Sequence, residues 1–421
     1  MPKTEKNKKR TANKYLLYWQ EAFRDWWFLL RREMGLVFKD EGVMLFFLVV
    51  PIFYPIVYSM IYTSETIREV PAVVVDDSRS ALSREYIRKV DATAELHIIS
   101  YCANMQEARE IMRQREAYGI IYIPRNFVKD IAQGKQTHVN IFCDMSGLLY
   151  YKAMLMANTN VSLNINADIK KQLAQNTTNR QDEVTIKPIA SEDINLYNPQ
   201  AGIASFLLPG VLVLIIQQTL LLGIAMMAGT SRERNRLHEL IPVGRHNHGL
   251  LRIVLAKTSV YLTIYVVQSV FCFGVVPRIF SLPQIGNPLT MAFFFLPFLL
   301  AVIFFGMTVS AVVRERENGV LIFVFTSVIL IFISGLSWPS AAIPGYWKLF
   351  SYIFPSTFAI NGYVHINNMG ASLLDVRKEW DALWLQAAFY FFTCCLSYRY
   401  KILAARIRTY KDYRARRKVE S

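Results

Sequence analysis

Six stretches of this 421-residue chain are apolar and carry no charge. They run Val43–Tyr62, Ile194–Ser231, Thr258–Pro277, Ile279–Val313, Asn318–Trp347 and Ala382–Tyr398. A helix needs roughly 20 apolar residues to cross a hydrocarbon core of about 30 Å. Each run is long enough, the last one barely. The pattern predicts a helical membrane protein with spans at 43–62, 201–229, 257–277, 289–312, 320–337 and 379–398. A further uncharged run, Leu349–Leu374, is broken by Pro355, Asn361, Gly362, His365, Asn367, Asn368 and Gly370. Backbone breaks and polar side chains are costly in lipid unless protein or water surrounds them. Residues 338–378 are therefore expected to form one or two re-entrant or surface helices at the outer face, not a seventh span.

The polar insert 63–200 follows the first span. Its apolar runs are short and bounded by turn residues. Strands are expected at Val70–Asp76, Glu95–Ser100, Gly119–Pro124 and Val139–Cys143, with helices at Ser80–Val90, Met105–Glu116 and Phe127–Ala132. Strands alternating with helices imply a layered α/β domain. Leu148–Gln175 reads as a long helix, and Asn176–Asp193 as a polar return to the second span. Ahead of the first span, within the N-terminal segment 1–42, Tyr15–Phe38 mixes Trp26, Trp27, Phe28, Leu29, Leu30 and Met34 with Glu21, Arg24, Asp25, Arg31 and Arg32. That is the pattern of an interfacial amphipathic helix, not of a cleavable leader.

Charge orients these elements. The net charge is +15, yet residues 63–200 hold 16 Lys/Arg against 17 Asp/Glu. The excess lies in 1–42 (ten against six), 227–257 (six against two) and 399–421 (nine against two). Six spans place all three on one side. Short basic loops stay in the cytoplasm, so both termini are expected inside a bacterial inner membrane and 63–200 outside. The basic charge reads as topology and as contact with anionic lipid headgroups; no nucleic-acid partner is expected. Cys102 and Cys143 fall in the insert, where a disulfide is conceivable; Cys272, Cys394 and Cys395 read as apolar packing residues.

The chain has no G-x-x-x-x-G-K-[ST] loop: Gly244 and Gly249 have the glycine spacing, but Leu250 and Leu251 follow. The lysine and Mg²⁺-holding hydroxyl of a nucleotide site are thus missing, and no cofactor or metal is expected on this chain. His238, His246 and His248 read by default as a solvated or partner-facing loop. Thr230–Val243 is more informative. If helical from Ser231, it puts Leu237, Leu240 and Ile241 on one face and charges on the other, with Pro242 as the stop. Such a helix fits either the groove of a cytoplasmic partner or the membrane interface, its arginines snorkelling.

Taken in order, these features resemble the permease subunits of the type-2 ABC export class, the type V exporter fold. Arg31-Arg32-Glu33 followed by Phe38-Lys39-Asp40 is similar to that family's elbow helix, and Leu208-Pro209-Gly210 to the opening of its second span. Arg232-Glu233-Arg234, then Glu239-Leu240 and Pro242, resembles its coupling loop within 230–256. Asn235-Arg236 and Leu237 depart from that loop's usual Gly and Thr. Arg314–Gly319, within the turn 313–319, resembles the second cytoplasmic turn. Ser334–Pro339, Ile343-Pro344 and Tyr352–Pro355 resemble the outer re-entrant helices, with Trp338, Pro339 and Pro355 as an outer gate. The resemblance implies a second permease subunit, identical or sister, and separate cytoplasmic ATPase subunits that bind ATP and Mg²⁺. It implies coupling through Arg31, Glu33, Arg232, Glu233, Arg236, Leu237, Glu239 and Leu240. The large insert matches the subgroup that works with a periplasmic adaptor and an outer-membrane channel in exporting small amphipathic molecules. A lipid or polysaccharide exporter is the alternative, as is a membrane sensor using the insert.

Polar residues within the spans are the pathway clues. Gln217 and Gln218 in the second span, with Phe323 and Phe332 in the fifth, line a route or pack helices together; Gln268 and Ser269 lie deep in the third. Pro51 and Pro55 are expected to bend the first span. The spans contain no ionisable pair, which argues against ion-coupled transport.

Overall fold

The computed structural model describes residues 23–62, 66–174, 181, 196–198, 202–233, 249–313 and 315–419, with side chains to 404 and at 407. The chain divides into two compact units, Met1–Thr63 with Leu196–Ser421, and Ser64–Asn195.

The inserted unit carries β1 (Val70–Asp76), α3 (Ala81–Asp91), β2 (Leu96–Tyr101), α4 (Met105–Arg113), β3 (Gly119–Ile123), α5 (Phe127–Ala132), β4 (Asn140–Cys143) and α6 (Leu148–Ala174). The sheet order is β2-β1-β3-β4. β1 is parallel to both neighbours, and β4 runs antiparallel to β3. β1 is central and covered on both faces, which is why Val70-Pro71-Ala72-Val73-Val74-Val75 is an unbroken apolar run. Ala72 and Val74 pack towards Tyr86, Ile87 and Met154 of α3 and α6. Val73 and Val75 pack towards Ala108 of α4. Ser80 starts α3 with a reciprocal capping box to Ser83. Cys102 and Cys143 are free thiols. They sit at opposite edges of the sheet, since Cys102 directly follows β2 and Cys143 ends β4. Three strand spacings of about 4.8 Å separate those edges, well beyond disulfide reach.

The other unit contains α1 (residues 23–39), α2 (Glu41–Ile61), α7 (Ile203–Glu233), α8 (Leu250–Ile279), α9 (Pro288–Val309), α10 (Arg316–Ile333), α11 (Gly345–Ser351), α12 (Pro355–Met369) and α13 (Arg377–Val419). Among the described residues, five helices are long and apolar enough to cross a membrane: α2, α7, α8, α9 and α10. The sixth apolar run lies inside α13. At 15 residues α12 is about 22 Å long, too short to span. It stops at Gly370, whose φ of 67° is the left-handed cap that favours glycine. α7 is the central helix: 94% of its apolar window is buried, against 22% for α2 and for α10.

Five prolines interrupt these helices, and one rule places their surroundings. A proline has no N–H for the carbonyl four residues earlier, and in a membrane that carbonyl must find another donor. Gln268 Nε2 donates to Phe47 O (3.1 Å), four before Pro51. The Cys272 thiol donates to Pro51 O (3.2 Å), four before Pro55. Asn368 Nδ2 donates to Ser205 O (3.2 Å), four before Pro209. Gln284 Nε2 donates to Phe273 O (2.7 Å), four before Pro277, and Trp380 Nε1 to Phe293 O (3.2 Å), four before Pro297. In α2 and α8 a π-helical turn, Leu45–Val49 and Phe271–Val275, precedes the proline. Gln268 and Cys272, four residues apart on α8, thus clasp both prolines of α2. Gln268→Leu is expected to cost about 1–3 kcal/mol by leaving a buried carbonyl unserved. An unfolding midpoint in detergent equal to that of the unmodified chain would contradict this role.

Candidate functional site: a charged joint at the basic ends of the helices

The ends of α1, α2, α7, α8 and α10 that carry the basic residues are joined by ion pairs and hydrogen bonds. α1 is tied to α8 twice. Asp25 Oδ2 accepts from Arg252 Nη1 at 2.6 Å. Glu33, only 7% exposed, accepts from Lys257 Nζ and, at 3.0 Å, from the Tyr261 hydroxyl. Glu33 is on the inward face of α1 with Val37, one turn later, which is fully buried. A carboxylate so buried is tolerated because both its partners are donors.

Asp40 makes the second knot. It caps the start of α2, its Oδ1 accepting from the N–H groups of Gly42 (3.2 Å) and Val43 (3.3 Å). The same oxygen accepts from Arg316 Nη2 of α10 at 2.8 Å, and Oδ2 from the Thr230 hydroxyl of α7 at 2.9 Å. Burial pushes the Asp40 carboxyl up, but Thr230, Val43, Arg316 and Gly42 together outweigh it and hold the group below the usual carboxylate range. Stability from this knot is therefore complete at neutral pH and is lost only as pH falls through the lowered value.

The α7–α10 contact completes the joint. Glu233 Oε1 accepts from the Arg316 N–H at 2.8 Å, serving one of the orphan donors of α10's first turn. Arg232 donates to the Ala311 carbonyl in the turn before α10. Gly229 lets the backbones meet: a Cβ there would lie 2.6 Å from Arg316 Cα and 2.7 Å from Arg316 N.

Of the residues singled out by sequence, Glu33, Arg232 and Glu233 belong to this joint, while Arg31 is exposed on α1. Arg236, Leu237, Glu239 and Leu240 lie outside the described residues. Gln217 is fully buried and clasps the start of α12, donating to Ser356 Oγ (3.0 Å) and accepting from Ser356 N–H (2.8 Å). Gln218 is 8% exposed, and its amide nitrogen and oxygen have no hydrogen-bond partner among the described residues. It shares a face at i, i+7 with Ala225, which packs against Gly319 of α10. Phe323 is buried, whereas Phe332 is exposed on α10. Trp338 and Pro339 are exposed, and Pro355 is buried as the first residue of α12. Sequence reasoning did not reach Asp25, Arg252, Lys257, Tyr261 or Thr230 as members of the joint. The signal that could have found them is a charge or hydroxyl at the end of an otherwise apolar run.

A bundle with five long apolar helices and a charged joint at one end defines a helical, multi-pass membrane protein. Residues 42–395 match the family described as ABC-2 family transporter protein, and the chain belongs to that family. It is also similar to the linearmycin resistance permease protein LnrN of Bacillus subtilis (strain 168), with 22% identity over 373 residues, 82% of this chain and 91% of LnrN. The chain is accordingly a multi-pass membrane protein and a permease of an ABC transporter, and the family implies partnership with an ABC ATPase subunit.

Proposed function

We propose that this chain is the membrane subunit of an ATP-driven exporter of a small amphipathic molecule. The observation that carries the reading is the charged joint. It links α2 and α10 to the end of α7, and α1 to the start of α8. The loop 234–248 connects those two helices. A push on that loop by a partner is passed to the bundle through hydrogen bonds at α7 and ion pairs at α8, which suits rigid-body switching between two states. Cytoplasmic ATPase subunits holding ATP and Mg²⁺ are the proposed source of that push, with Arg236, Leu237, Glu239 and Leu240 as their docking face. Both termini are placed in the cytoplasm and the α/β unit outside an inner membrane, following the basic segments. A second permease subunit, identical or sister, is placed against α10. Leu321, Phe325 and Phe332 of that helix are uncovered, and it packs on central α7. Gln218, on the α10-facing side of α7, is the residue proposed to meet cargo. Hand-over from the α/β unit to an adaptor and an outer-membrane channel completes the proposal. An export role is favoured by likeness to a permease named for resistance to linearmycin.

The test is uncoupling at the docking face. Glu239→Ala or Leu240→Asp is expected to abolish ATP-dependent transport while leaving the unfolding midpoint unchanged. Transport at the unmodified rate in both variants would remove the role assigned to this loop.

A further inference from the structure

Beside the joint, α7, α8, the end of α9 and α13 line a cavity of about 30 Å³. Its polar wall is Ser231, Arg232, Lys257, Tyr261, Ser310 and Lys401. One water needs roughly 10–15 Å³ on this measure, so the space takes two or three waters or a small oxyanion. Three helices bring three cations to it, and none of the described lining residues is a carboxylate. Lys257 is held by Glu33, which it shares with Tyr261. Lys401 has weaker partners: Nζ is 3.4 Å from the Ser310 carbonyl and 4.9 Å over the Tyr398 ring. The Ser231 and Ser310 hydroxyl protons are already given to Met227 O and Met307 O. Burial, with Arg232 and Lys257 beside it, pushes the Lys401 ammonium down to about 7. Glu33 already pairs with Lys257, and Arg232 donates to the Ala311 carbonyl, so it is the added charge of Lys401 in this desolvated cavity that a further anion would offset.

We propose that this cavity binds a phosphate oxyanion, as an anionic phospholipid headgroup or as free phosphate, held by the Lys257 and Lys401 ammonium groups with the Arg232 guanidinium beside them. Multiple charge-assisted donors from separate elements are the usual basis for capturing phosphate. The site spans α7, α8 and α13, so an occupant ties α13 to α7 and α8, whose ends belong to the charged joint. The assignment goes beyond the export reading and does not depend on it.

The experiment uses the full-length chain in a maltoside detergent and phosphate-free buffer. The thermal midpoint is measured with added sodium phosphate, with phosphatidylglycerol, or with sodium chloride at equal ionic strength. The unmodified chain is expected to rise by about 2 °C or more with a phosphate source, saturably, and not with chloride. Lys401→Arg keeps the response. Lys401→Gln removes one of the crowded charges, so its anion-free midpoint lies above that of the unmodified chain, while its affinity falls about tenfold. A response to phosphatidylglycerol alone assigns the site to a lipid headgroup, and one to inorganic phosphate alone assigns it to a soluble ion; both support the proposal. An unmodified chain with no saturable response to either overturns it, whether or not Lys401→Gln folds. So does a Lys401→Gln protein that responds as the unmodified chain does.

Discussion

Glu33→Ala is expected to destabilise the chain by about 3–5 kcal/mol, the cost of leaving a buried charge without its partner. Lys257, with its side chain 15% exposed, loses its carboxylate, and the Tyr261 hydroxyl loses its acceptor. Among the described residues, the more exposed Asp25–Arg252 pair then remains as an ionic tie of α1 to α8. The unfolding midpoint in detergent should fall by several degrees. The companion Glu33→Ala/Lys257→Met should recover most of the loss, because replacing both members of a buried pair is far milder than removing one. Equal midpoints for Glu33→Ala and the unmodified chain would show that α1 is not held by this pair.

Gly229→Val should have the largest effect on mechanism. The obstacle is backbone, with Arg316 Cα and N at 2.6 and 2.7 Å from the position of a Cβ. α7 and α10 must separate, at a cost of about 1–3 kcal/mol or more, and Glu233 loses its hold on the Arg316 N–H. Gly42→Ala offers a contrast. There the atoms in the way are side-chain tips, Arg316 Nη2 at 2.0 Å and Met226 Cε at 2.6 Å. Arg316 can swing aside, giving up its pair with Asp40 but leaving the helices in contact. ATP-dependent transport should therefore be abolished in Gly229→Val and only reduced in Gly42→Ala. The opposite order would contradict the view that the α7–α10 contact transmits motion.

The apolar runs and the short strands were legible because each is a local pattern. A span needs only length without charge, and β1 needs only its unbroken run from Val70 to Val75. The break at Pro355–Gly370 was legible for the same reason, and it became the short helix α12. The joint was not, because its partners are far apart in sequence: Glu33 and Lys257 are 224 positions apart, and Asp40 and Arg316 are 276. Glu33 looks like any charge on an amphipathic helix until α8 is placed against it. The prolines follow the same division. Pro51 and Pro55 announce that α2 is interrupted, but only packing shows that Gln268 and Cys272 serve the freed carbonyls. Gln217 and Gln218 are adjacent and chemically identical, so sequence gives both one reading. A helix turns about 100° per residue, which sends Gln217 to Ser356 and Gln218 towards α10. Arg236, Leu237, Glu239 and Leu240 lie outside the described residues, and their docking role is proposed from pattern and resemblance.

The central claim is that this chain takes its energy from a separate subunit docked on the loop between α7 and α8. The most direct measurement is gentle detergent purification of the tagged full-length chain from its native membrane, with and without Leu240→Asp, and identification of what accompanies it. The account predicts a stoichiometric ATPase with nucleotide-binding motifs that is present with the unmodified chain and absent with Leu240→Asp. A chain that purifies with no nucleotide-binding partner, even after crosslinking, would contradict it.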